Sequence, residues 1–134
     1  MTSKFPSAKW LNDLHHNLNT DERYASVASK WEGDISLVIE TDDRFPQTVT
    51  CYLDLWHGRS RAVEYVVPPD EKPAAFVISA PFSNWLRILE GDLNPIQAMA
   101  TMKLKVRGNM AYIMRNVPTV LDFTRVAQET PHHV

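Results

Sequence analysis

The stretch Phe82–Gly108, FSNWLRILEGDLNPIQAMATMKLKVRG, changes hydrophobic period twice, and no other segment constrains the fold as tightly. Phe82, Trp85, Leu86 and Leu89 recur at i, i+3, i+4 and i+7, the apolar face of a helix that Gly91-Asp92 stops. Asn94-Pro95 then reads as an N-cap with proline at the first helical position, opening a short helix that turns Ile96, Met99 and Ala100 inward. After it the period becomes two. Met102, Leu104 and Val106 alternate with Lys103, Lys105 and Arg107, which predicts a strand with one buried face, ended by Gly108.

The rest of the chain can be placed around this segment. Trp10, Leu11, Leu14 and Leu18 form a helical stripe after Pro6-Ser7, and Thr20-Asp21 opens a second helix carrying Tyr24, Val27, Ala28 and Trp31. Beyond Gly33 the pattern is of strands. Ile35, Leu37 and Ile39 alternate with polar neighbours, and Asp42-Asp43-Arg44-Phe45-Pro46 makes a turn. Thr48–Trp56 alternates again with Val49, Cys51, Leu53 and Leu55 on one side. Strands over Ala62–Val67 and Ala74–Ser79 follow, joined by the stiff polar connection Pro68–Pro73. After Gly108, Met110, Ile113 and Met114 form a short helical stripe, and Val117, Val120, Leu121 and Thr124 continue beyond Pro118. The order predicts an α+β fold in one domain, 1–134, with a single sheet and helices gathered on one face, and residues 129–134 as a frayed tail.

Several functions are disfavoured by the residues present. A formal charge of −2 over 134 residues offers no footprint for nucleic acid. The four glycines form no phosphate-binding fingerprint. His15, His16, His57, His132 and His133 lack the i, i+4 pairing of a metal site, so no metal or other cofactor is expected. The lone Cys51 falls on an apolar strand face, where cysteine behaves as a small hydrophobe, and Asp42-Asp43 are turn formers first; no catalytic residue is assigned. One cysteine and no N-terminal apolar run fit a cytoplasmic setting. Lys103, Lys105 and Arg107 read as a solvated edge strand, the functional alternative being transient contact with anionic headgroups at a membrane surface or with a ligand carboxylate.

Met99, Met102, Met110 and Met114 lie within sixteen residues on predicted apolar faces, beside Phe82, Trp85, Leu86 and Leu89. Such a cluster is either ordinary core or the wall of an apolar cavity. The order and wording of the chain resemble the sterol carrier protein type 2 family. Trp31–Ile39, WEGDISLVI, is similar to that family's first strand after its opening helices. More specific are Trp85–Met99, WLRILEGDLNPIQAM, and Lys103–Asn109, KLKVRGN, which resemble its helix, Gly-x-x-Asp-Pro step, second helix and Lys-Leu-x-Val-x-Gly-Asp strand. Asn94 and Asn109 stand where the family usually has aspartate, and both keep a capping role. Met102 stands where it often has glycine, adding bulk that weighs against a sterol-sized ligand. The ending His-His-Val lacks the peroxisomal Ser-Lys-Leu address, as expected of a bacterial-type relative.

The resemblance implies a mixed, mostly antiparallel five-stranded sheet covered on one face by helices, with an apolar tunnel between. The ligand would be a fatty acid, acyl-CoA, phospholipid or sterol, bound or transferred without chemistry. Its expected lining is Phe82, Trp85, Leu86 and Leu89, then Met99, Met102, Leu104 and Met110, then Ile113, Met114, Val117 and Leu121. Two other classes remain open. One is a dimerising scaffold or accessory subunit of a lipid-metabolising enzyme, with a filled core and Tyr52 and Trp56 exposed; the other is a small enzyme using Cys51 or Asp54. Monomer and homodimer are equally compatible with the residues.

Overall fold

The computed structural model describes residues 2–134. Helix α1 (Ala8–Thr20) is capped by Ser7, whose hydroxyl accepts from the Trp10 N–H, and α2 (Glu22–Val27) is capped by Asp21. The predicted stripe is the buried one: Trp10, Leu11, Leu14 and Leu18 are all essentially inaccessible. A two-residue strand, β1 (Ser3–Lys4), precedes α1.

Strands β2 (Ile35–Glu40), β3 (Val49–Trp56) and β4 (Arg59–Val66) form an antiparallel meander, and β5 (Phe76–Pro81) pairs parallel with β2. After helices α3 (Phe82–Leu89) and α4 (Pro95–Ala100), β6 (Lys105–Arg107) closes the other edge. The order is β4-β3-β2-β5-β6, a mixed five-stranded sheet. Helices α5 (Met110–Arg115) and α6 (Val117–Glu129) complete the layer over one face, with Pro118 in the first turn of α6, where its missing N–H costs nothing. On β3 the alternation is kept without exception: Val49, Cys51, Leu53 and Leu55 point into the core.

The parallel β2–β5 pair forces a crossover. Residues 67–75 carry the chain from the β4 edge, past β3 and β2, to β5, a lateral shift of three strand spacings or about 14 Å. At about 3.1 Å per residue an extended proline-rich segment of this length spans about 28 Å, enough to cross diagonally with little slack. It lies on the face away from the helices, where the Lys72 carbonyl accepts from the buried Ser36 hydroxyl at 2.7 Å and the Lys72 ammonium sits 4.6 Å from the Tyr52 ring.

Three expectations are corrected. The last strand does not begin at Met102 but at Lys105, because α4 ends in a backbone turn over residues 101–104. On α4 the inward residues are Pro95, Ala98 and Met99, with Ala100 exposed. Nor is the C-terminus frayed: β7 (His132–His133) pairs parallel with β1, the Phe5 N–H donates to the His133 carbonyl at 2.8 Å, and Thr130 is fully buried. This clasp seats Phe5 against Trp10, edge-on at 4.8 Å, and against Phe82, stacked at 6.0 Å.

Candidate functional site

Between the helices and the inner face of the sheet lies an apolar cavity of about 90 Å3. Its floor is the inward-facing set of the central strands: Ile35, Leu37 and Ile39 from β2, Cys51 and Leu55 from β3, Phe76 and Ile78 from β5. Helix α3 supplies Trp85, Ile88 and Leu89, and α4 supplies Pro95 and Met99. Roofing it, α6 contributes Thr119, Val120, Phe123, Thr124 and Ala127. Every lining residue is uncharged.

Five of the twelve residues expected to wall a cavity do so: Trp85, Leu89, Met99, Leu104 and Ile113. Phe82 and Leu86 are buried but point elsewhere, Phe82 stacking on Phe45 at 5.2 Å. Met110 packs half-buried at the rim of the core and Val117 is half-buried at the start of α6. Met102, Met114 and Leu121 are exposed, so the methionine cluster disperses and only Met99 meets the cavity. Sequence spacing put Met114 on the face of Met110 and Ile113, but α5 spans only 110–115 and shows the core a single buried residue, Ile113. On α6 the expected Val117 and Leu121 give way to Thr119, Val120, Phe123, Thr124 and Ala127 for the opposite reason. Its buried face carries Thr119, Asp122 and Thr124 among few aliphatics, which masks the apolar stripe.

Polar groups around the cavity are mostly spent. The Trp31 and Trp85 indoles donate to the carbonyls of Gly33 and Val38, at 2.8 and 3.0 Å. Thr119 and Thr124 donate to the carbonyls of Val27 and Val120. Burial pushes the Cys51 thiol up to about 12, far from a nucleophilic thiolate at neutral pH. Asp54 is on the opposite face of β3, held bidentately by Arg61 at 3.0 and 3.1 Å. The Asp42 carboxylate accepts from the Ser83 N–H at 2.7 Å and the Ser83 hydroxyl at 2.6 Å, capping α3, and the Ser83 hydroxyl holds its pKa below the ordinary 3.8. No group of three or more potential metal ligands occurs among the described residues.

A larger concavity of about 690 Å3 lies on the outer face beneath the 67–75 crossover, with Asp70, Glu71, Lys72 and Arg107 in its walls. Its charged rim suits water better than a lipid chain. At the far end of β3, Trp56 is covered by the Arg61 guanidinium 4.7 Å from its ring centroid and stacks on His57 at 5.1 Å. Among the described residues no helix is long and apolar enough to cross a membrane.

A mixed sheet roofed by helices on one face, with an uncharged apolar cavity between the layers, defines the class: a small two-layer α+β fold with a cavity between its layers. Residues 11–120 match the SCP-2 sterol transfer family, and the chain belongs to that family. Its structure is similar to a crystal structure of sterol carrier protein 2, at 32% identity and TM-score 0.88, covering 95% of this chain and 99% of the other. It is equally similar to the solution structure of a conserved hypothetical protein from Thermus thermophilus, at 30% identity and TM-score 0.88, covering 99% and 97%. Apo sterol carrier protein 2 from Yarrowia lipolytica shares the fold at 19% identity and TM-score 0.60, covering 96% of each chain. No curated protein matches the sequence.

Proposed function

We propose that this protein binds a lipid between its sheet and helices and carries it without chemical change. The observation that supports the reading is the uncharged apolar cavity at the centre of the core, in a member of a sterol transfer family. At about 90 Å3 the cavity is smaller than the 150 Å3 that holds a benzene in an engineered core and well below the roughly 300–1,000 Å3 of drug-sized ligand sites. Binding an alkyl chain therefore requires the roof to lift. Helix α6 is the element suited to that: Thr119 and Thr124 take up much of its cavity-facing side, so parting it from the sheet exposes less apolar surface than moving α3 would.

Affinity comes from apolar burial. About 300 Å2 of ligand surface at about 25 cal/mol per Å2 gives about 7.5 kcal/mol before ordering costs, which sets micromolar binding as the ceiling. Selectivity among chains follows chain volume. The test is titration of delipidated protein with a pyrene-labelled fatty acid, with native mass spectrometry of the protein as purified. Saturable binding, with displacement by unlabelled lipid, is the expected result. No saturable binding and no co-purified lipid would sink the proposal.

A further inference from the structure

The lining of the cavity holds a buried indole N–H without a hydrogen-bond partner. Trp10 Nε1 is the only buried side-chain nitrogen or oxygen without a hydrogen-bond partner among the described residues, and Trp10, 2% exposed, lines the cavity. The other cavity groups named above have committed their protons: the Trp31 and Trp85 indoles and the Thr119 and Thr124 hydroxyls all donate to backbone carbonyls. The Tyr24 phenol also lines the cavity, its pKa raised by burial and by the Asp122 carboxylate. An indole N–H is a donor only, and left unpaired in an apolar interior it costs free energy that an incoming acceptor would recover. The Phe5 ring packs edge-on against the Trp10 ring at 4.8 Å, and an aromatic ring is a weaker acceptor for an N–H than an oxygen is.

Resting on the lipid-binding reading, we infer that the Trp10 indole N–H is the donor that fixes the oxygen end of the bound lipid. The charge pattern narrows that oxygen further. Neither Lys, Arg nor His lines the cavity, so an ionised carboxylate at Trp10 would be buried with no counter-charge. The oxygen that fits is neutral: the hydroxyl of a fatty alcohol or the carbonyl of an ester. The site sits behind Phe5, which the β1–β7 clasp holds in place through its N–H on the His133 carbonyl. The chain of the ligand then runs from Trp10 along Ile39, Leu37 and Ile35 under α6.

The experiment uses two probes of equal chain length, 1-decanol and 1-chlorodecane, on the 15N-labelled full chain. Trp10 is one of four tryptophans, and its indole cross-peak is assigned by its loss in Trp10→Phe. With 1-decanol the Trp10 indole proton moves downfield at saturation, whereas with 1-chlorodecane it stays near its free position. In Trp10→Phe the preference for decanol over chlorodecane drops by about three- to tenfold, the worth of one neutral hydrogen bond. If the two probes move the cross-peak alike, or leave it unmoved although both bind, the N–H is not engaged by the ligand oxygen and the inference fails while lipid binding stands. If neither probe binds the inference fails, and the lipid-binding reading falls with it only if the pyrene-labelled fatty acid also shows no saturable binding and no lipid co-purifies. Should Trp10→Phe not fold, the cross-peak in the unaltered protein, then assigned through its contacts to Phe5, decides alone.

Discussion

Met102 sits at φ +62°, in the left-handed region that favours glycine, immediately after the C-cap of α4. Around it the Lys103 N–H donates to the Ala98 carbonyl at 2.8 Å and the Met102 N–H to the Met99 carbonyl at 3.4 Å, the paired closure of a Schellman turn. Helix α3 ends in the same way at Gly91, φ +83°, with the Asp92 N–H on the Arg87 carbonyl at 2.9 Å. Glycine at position 102 would thus serve the backbone and not the cavity. Met102→Gly should raise stability by about 1 kcal/mol in urea unfolding and leave lipid preference unchanged. The residue identity was readable in the chain as a departure from the family pattern; its meaning was not, because spacing assigned it to a strand, and no periodicity reveals a positive φ in the turn it occupies. Asp42 carries a second prediction. Its folded pKa lies below the ordinary 3.8, so its stabilisation is complete above that value and is lost as pH falls through the folded one. Asp42→Ala should cost about 1 kcal/mol, constant from pH 5 to 8, and the deficit should shrink as pH falls below the ordinary 3.8; a deficit that does not shrink would separate the cap from the carboxylate charge.

At the scale of elements, α6 is fastened to α2 by ions as well as by apolar contact. Arg125 makes a bidentate pair with the buried Asp122, at 2.9 and 3.1 Å, and reaches the α2 cap Asp21 at 2.8 Å. Those two carboxylates raise the already high Arg125 pKa, and Arg125 in turn lowers that of Asp21. Arg23 also touches Asp122, at 3.3 Å, but its side chain is 72% exposed and is a weak substitute. Arg125→Met should therefore destabilise by about 3 kcal/mol, mainly by stranding Asp122, while Asp122→Leu combined with Arg125→Met should recover most of the loss; equilibrium unfolding of the two variants measures both. Elements with a single strong period were legible: α1 from Trp10, Leu11, Leu14 and Leu18, and β3 from Val49, Cys51, Leu53 and Leu55. Those held by ions and backbone pairing were not. Asp122 interrupts the apolar stripe of α6 although it is 5% exposed, and His132 and His133 carry no strand signal because β7 depends on β1, at the far end of the chain.

For the whole molecule, the alternation in β2 and β5 foretold strands but not that they would lie side by side and parallel, with Ile35 opposite Phe76. That pairing is what gathers the floor of the cavity, and it depends on the 67–75 crossover, whose prolines announce stiffness without direction. Nor can spacing reveal a void, which is the small difference between the space enclosed by the layers and the volume of the side chains that fill it. The void can be tested against the alternative of a mere packing defect by filling it. Ala127 is on the cavity side of α6, 6% exposed, and Ala127→Leu adds three carbons toward about 90 Å3 of empty space. Filling should stabilise the free protein by about 0.5–2 kcal/mol, since buried methylenes gain contacts and lose water. The same carbons occupy the space from which a lipid chain would pry the roof open, so uptake of the pyrene-labelled fatty acid should weaken at least tenfold. A higher unfolding midpoint with unaltered uptake would show that the ligand enters elsewhere; a lower midpoint would show that the core is already full at Ala127. The opposed signs, stability up and binding down, are expected only of a cavity kept open at the expense of the fold that surrounds it.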